Sequence, residues 1–142
     1  MTNADMARSY LREAREIFGE AERHHGAEVW HLAVRRCQEA VELALKAVLR
    51  ASGIEVPHVH DVGIFLVEHR ERLPAAVVPH LDQLVSVSRR LRQEREISFY
   101  GDEETGAPPD RLYSARDAAE ALRDARFVLG TCEAGVPAPL GK

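Results

Sequence analysis

The sequence predicts an all-α, up-and-down bundle of about five helices, and three observations predict it. The stretch Glu28 to Ala51 is apolar around most of a helical wheel. Further stretches on both sides repeat apolar residues at helical spacing. Glycine and proline punctuate the connections, and no internal repeat or low-complexity tract interrupts the order.

The first helix is expected from about Ala4 to His24, where Met6, Tyr10, Leu11, Ala14, Ile17, Phe18 and Ala21 share one face. The segment around Gly26 breaks it, and the connection is short enough that the second helix must run back antiparallel. In that second helix, His31, Arg35, Gln38, Glu39, Glu42, Lys46 and Arg50 form one polar stripe, and nearly all the rest is apolar apart from Arg36. The apolar arc exceeds the roughly 100° that an ordinary surface helix buries, so this helix needs neighbours on several sides. Glu42 precedes Lys46 by four residues, the favourable order for a helical ion pair. Gly53 stands where a left-handed cap is expected, and Pro57 follows it.

Asp61 is placed to cap a short third helix carrying Val62, Phe65, Leu66 and His69, which Leu73 and Pro74 end. A fourth helix is expected over 76–97, with Pro74 or Pro79 near its first turn and Val77, Leu81, Leu84, Val85, Ser88 and Leu91 on its seam. Four residues further along that seam lies Arg95. It points either towards the core or a partner, or out past the last carbonyls of its helix. Residues 98–113 lack periodicity and read as a long loop with Phe99, Tyr100 and Tyr113 as anchors packing back on the bundle. Ser114 with Asp117 marks the start of a fifth helix, whose seam is Ala115, Ala118, Ala119, Leu122, Ala125 and Leu129 and whose end falls near Glu133. One domain is expected over residues 1–134, followed by a disordered tail from 135 to 142 containing Pro137 and Pro139.

With 142 residues, 45% of them hydrophobic, the chain is long enough for one domain with a real core. A net charge of −4 gives no overall drive towards nucleic acid, leaving a local basic patch as the route to one. Glu42 and Lys46 interrupt the most apolar run, so no membrane span is expected. Cys37 and Cys132 both fall in helical stretches and read as core thiols in a reducing, cytoplasmic compartment.

The seven histidines include His58 and His60 beside Asp61, but HExxH, CxxC and paired Glu-x-x-His patterns are absent, so neither a metal site nor a cofactor is expected. Phosphate-cradling glycine loops and nucleophile elbows are also missing. Chemistry concentrates instead where the fourth helix meets the loop: Arg89, Arg90, Arg92 and Arg95, then Phe99, Tyr100 and Asp102. Arg92, Arg95, Phe99 and Tyr100 are the expected ligand-binding residues, because guanidinium groups grip phosphate and aromatic rings stack on bases. A salt bridge pinning the loop to the helix is the plainer reading of Arg95 and Asp102.

The order of these features resembles the HEPN domain, named for nucleotide-binding proteins of higher eukaryotes and prokaryotes. The likeness runs from about Ala7 to Leu129. It rests on CQEAVELALKAVLRASGIEVP, on the His60–Asp61 step, on the arginine-rich run into FYGDE, and on LYSARDAAEALRDARFVL. The resemblance implies a helical, commonly dimeric protein. Many members are metal-independent ribonucleases in which an arginine, and a histidine four to six residues later, act on the 2′-hydroxyl and the scissile phosphate near the dimer axis. Arg95 matches that arginine, but the residue five further on is Tyr100 and no histidine follows it. A phenol ordinarily titrates at about 10, too high for a base at neutral pH. The resemblance therefore implies a non-catalytic homodimer that binds a nucleotide or RNA, or that pairs with a small nucleotidyltransferase in a toxin–antitoxin-like system. The alternative is a degenerate ribonuclease using Arg95 with Tyr100 or Asp102.

Overall fold

In a computed structural model that describes residues 2–56 and 62–138, the chain folds into five α-helices: α1 (Asn3–Gly26), α2 (Trp30–Ala51), α3 (Val62–Glu68), α4 (Leu81–Tyr100) and α5 (Ala115–Gly135). Short 3-10 turns at Arg70–Arg72, Val78–His80 and Pro109–Arg111 join them. His58, His60 and Asp61, with the expected cap of α3, lie outside the described residues. Among the described residues, no helix is long and apolar enough to cross a membrane.

Helix α2 is the centre of the bundle. It packs against α1, α3, α4 and α5, and none of its 22 residues is exposed. The wide apolar arc is covered from several sides, and even Gln38, in the polar stripe, is only 3% exposed. Leu45, Leu49, Val41 and Val48 are buried at its centre.

The helix ends show which local signals controlled the chain. Thr2 and Asp5 form a reciprocal cap on α1, with Asp5 N–H donating to Thr2 Oγ1 at 3.1 Å and Thr2 N–H to Asp5 Oδ2 at 3.0 Å. Gly26 does not break α1. The left-handed residue is Glu28 (φ 62°), and closure is made by Val29 N–H to His24 O at 2.8 Å and Glu28 N–H to His25 O at 3.1 Å. That closure delays α2 to Trp30. At the other end of α2, Gly53 (φ 74°) takes the expected left-handed cap, with Ile54 N–H bonded to Leu49 O at 2.9 Å. Ser114 and Asp117 form the expected capping box on α5.

Two further expectations need correction. Helix α4 is displaced from 76–97 to Leu81–Tyr100. Pro79 lacks a donor and biases the residue before it away from the helical region, so residues 78–80 make a 3-10 turn first. With no breaker before Gly101, the helix then runs on through Ser98, Phe99 and Tyr100. On α5, Ala115 and Ala119 are exposed, while Ala121, Val128 and Cys132 join the buried face. Beyond Glu133, Gly135 and Val136 touch the bundle. Val136 is buried, and a Cβ on Gly135 would fall 2.7 Å from Val77 Cγ2; residues 139–142 lie outside the described residues.

Both cysteines are free and fully buried. Burial pushes the Cys37 thiol up to about 12 and raises that of Cys132 as well. A thiol-reactive disulfide reagent at pH 8 should therefore label neither in the native protein and both after denaturation. Rapid native labelling would contradict this packing.

Candidate functional site

The C-terminal half of α4 divides its charged residues between two sides. Towards α5, Arg90 Nη1 pairs with Asp124 Oδ2 at 3.0 Å. On the other side, Arg89, Arg92 and Arg95, together with Gln93, Glu96 and Ile97, line an open groove of about 410 Å³. Helical spacing explains the division, since residues three and four apart share a face whereas adjacent ones diverge by roughly 100°. Among the described residues that line it, three carry guanidinium groups and one a carboxylate, which makes this lining basic on a chain whose net charge is −4.

Arg95 lies at the edge of the inward seam, with its side chain 33% exposed. It turns towards α2, where its Nη1 is 3.7 Å from Glu42 Oε2; the same oxygen is 3.8 Å from Lys46 Nζ. Glu42 is thus shared between the expected helical pair and a contact with α4. The backbone at this point is also held, because Arg35 Nη1 donates to Arg95 O. Arg35 lies 5.2 Å from the centre of the Phe99 ring as well. Neither role of Arg35 nor that of Glu42 was evident from the sequence. Both belong to the α2 polar stripe, and the missing information was which helix the stripe would meet.

Phe99 and Tyr100 do not pack back on the bundle. They are 52% and 69% exposed, and their rings meet edge to face at 5.1 Å. The continuation of α4 causes this. Ser98 occupies the buried face, so the next two residues rotate outwards. Ile97 adds a further exposed apolar side chain. Tyr113 is the aromatic residue that anchors the connection: half-buried, it donates its hydroxyl to Glu94. Burial and the adjacent Glu94 carboxylate raise its pKa, keeping it a protonated donor.

Asp102 is engaged in its own turn. Its Oδ1 accepts from Glu104 N–H at 3.0 Å and Thr105 N–H at 3.4 Å. Its backbone N–H donates to Ala107 O at 2.9 Å, which makes a single bridge between residues 102 and 107. The structure thus brings Arg89, Arg92 and Arg95 to one groove, near the aromatic end of their helix, and commits the Asp102 carboxylate elsewhere. The expected long loop is a compact turn.

Gly101 makes that turn possible. At φ 85° and ψ −171° it occupies a region essentially restricted to glycine, and a Cβ would lie 2.3 Å from Ala107 O. Gly101→Ala should cost at least about 2 kcal/mol and open the turn, measured as a lower melting temperature and faster proteolytic nicking at residues 103–106. An unchanged melting temperature would refute it.

A sequence model of the HEPN domain matches residues 7–134. The chain is also similar to two solved structures. An archaeal HEPN homologue, ST0689, is 22% identical and superposes with a TM-score of 0.71, over 92% of this chain and 98% of its own. TT1696 from Thermus thermophilus is 30% identical, with a TM-score of 0.76 over 91% of this chain and 97% of its own. The chain matches no curated protein.

Proposed function

The chain belongs to the HEPN domain family, and on that basis we propose that it is a non-catalytic binding module whose α4 groove receives the phosphates of a nucleotide or RNA strand. The observation that carries this reading is the placement of Arg89, Arg92 and Arg95 around one open groove on the helix that ends in exposed Phe99 and Tyr100. Guanidinium groups neutralise phosphate, and exposed rings offer a face on which a base stacks, a contribution of about 1–3 kcal/mol per base.

The non-catalytic part of the proposal is supported by the chemistry around Arg95. No histidine comes after it in the sequence, Glu42 holds its guanidinium, and Asp102 is occupied by its own turn. Among the described residues that line the groove, Glu96 carries the one carboxylate and no imidazole stands beside Arg95.

The proposal includes a homodimer, because the cluster of Ile97, Phe99 and Tyr100 is a large apolar surface to leave in water. Light scattering at micromolar concentration should give a mass near twice the 15.9 kDa of one chain. A monomer at that concentration would remove this part. Binding is tested by fluorescence anisotropy with a labelled single-stranded RNA and with nucleoside triphosphates, the RNA being recovered to look for cleavage. Saturable binding with intact RNA is expected. Cleavage abolished by Arg95→Ala would favour the ribonuclease reading, with Tyr100 and Asp102 as its remaining groups, and cleavage that survives the substitution would be contamination. If neither RNA nor nucleotide binds, the groove reading fails, and the product of any adjacent nucleotidyltransferase gene becomes the partner to titrate.

A further inference from the structure

We infer that the chain has a second binding site, away from the α4 groove, for a small organic anion with an apolar body. It is a cleft of about 370 Å³ where the end of α2 meets α1, within the roughly 300–1,000 Å³ typical of small-ligand sites. Tyr10, Leu43, Ile54 and Val56 provide apolar walls. A smaller lobe of about 240 Å³ adjoins it, shares Arg50, Ile54 and Glu55, and is bounded by Asn3 in the first turn of α1.

Arg50 gives the cleft its chemistry. Its Nε is buried and has no hydrogen-bond partner, and among the described residues its guanidinium forms no ion pair. Glu55 shares the rim without lying at ion-pair distance, whereas Lys46, the other cation, is already beside Glu42 at 3.8 Å. A buried donor left unmade costs about 1–3 kcal/mol. Arg50 as a whole is only partly buried and lines the cleft, so a ligand there meets a guanidinium with no carboxylate partner among the described residues. The N-terminal turn of the 24-residue α1 borders the smaller lobe through Asn3, its dipole offset in part by the Asp5 carboxylate of the capping box. The opposing negative end of α2 is screened, because Arg72 Nη2 donates to Ser52 O at 3.1 Å and Gly53 O at 3.2 Å. A carboxylate or phosphate monoester matches the planar donors of Arg50, and the apolar walls take a chain or ring attached to it.

The cleft is separate from the nucleotide groove, since Arg50 lies eight residues beyond Glu42, about 12 Å along the same helix, although Lys46 on its wall shares Glu42 with Arg95. Titration of the isotopically labelled chain by NMR, with octanoate, hexyl phosphate, inorganic phosphate and octanol as probes, tests it. Octanoate or hexyl phosphate should shift the amides of Tyr10, Leu43 and Ile54, and the one that does so more strongly identifies the headgroup. Inorganic phosphate and octanol should each bind at least about tenfold more weakly, because each lacks one half of the match. Arg50→Gln should weaken the preferred anion by about tenfold or more, while Arg89→Glu/Arg92→Glu should leave it unchanged. Shifts confined to α4, octanol binding as tightly as octanoate, or no shifts at millimolar concentration would each overturn the inference. Should Arg50→Gln not fold, the shift map and the anion-to-alcohol comparison on the native chain decide it.

Discussion

Leu45→Ala is expected to remove about 3–5 kcal/mol of stability and to lower the melting temperature by about 10 °C or more. Leu45 is fully buried on α2, the helix that touches all four others. Truncation there removes transfer free energy and leaves a cavity bounded by several helices, none of which can collapse inwards without disturbing another. Leu43, two residues earlier, is partly exposed and borders the cleft near Arg50. Leu43→Ala should therefore cost less than half as much, because water already reaches one side of it. Comparing the two by denaturant unfolding isolates burial from helix propensity, since the residue types are the same and both stand in the middle of α2. Equal losses would mean that the central position assigned to α2 is wrong.

Arg89→Glu/Arg92→Glu is expected to weaken RNA or nucleotide binding by at least about tenfold at low salt, and to reduce the slope of log affinity against log salt by about two. Both side chains are exposed and both line the groove, so the fold should survive, as circular dichroism can verify. The neighbouring Arg90→Glu provides the contrast. Arg90 is engaged with Asp124 on the α5 side, and its replacement should alter stability more than affinity. Loss of binding that is equal for Arg90 and for the groove pair would indicate a diffuse charge effect and would rule out the groove as the site. The salt slope separates the two cases, because it counts the phosphate charges neutralised at the interface.

Much of the fold was legible because its signals are local. The arc of apolar residues on α2 demanded cover from several sides, Gly53 supplied the left-handed cap, and Ser114 with Asp117 started α5. Each involves residues within a few positions of one another, where helical geometry alone fixes who meets whom. The resemblance carried by the α2 segment and the end of α5 was legible too, and the HEPN match over residues 7–134 bears it out. Helix boundaries were less so. Pro79 delayed α4, and the absence of a breaker before Gly101 let it run on, which turned two expected loop anchors outwards.

The candidate site was legible only as a set of residues. Arg92, Arg95, Phe99 and Tyr100 could be gathered by their closeness in the chain, where the expected fourth helix met the expected loop, but their partners could not. Arg35 reaches Arg95 O across 60 positions of chain, and Glu42 meets Arg95 from another helix. Such pairings depend on the angle and rotation with which α2 and α4 pack, which follow from side-chain interdigitation and not from either helix's periodicity. Periodicity and local signals were enough to specify the number of helices and the central place of α2, and the resemblance of whole segments specified the family. Packing between helices selected which arginines face the open groove, which one Glu42 holds, and that Arg50 is left with a buried nitrogen unpaired. Burial is demanded one helix at a time, whereas the pairing of charges is settled only where two helices meet.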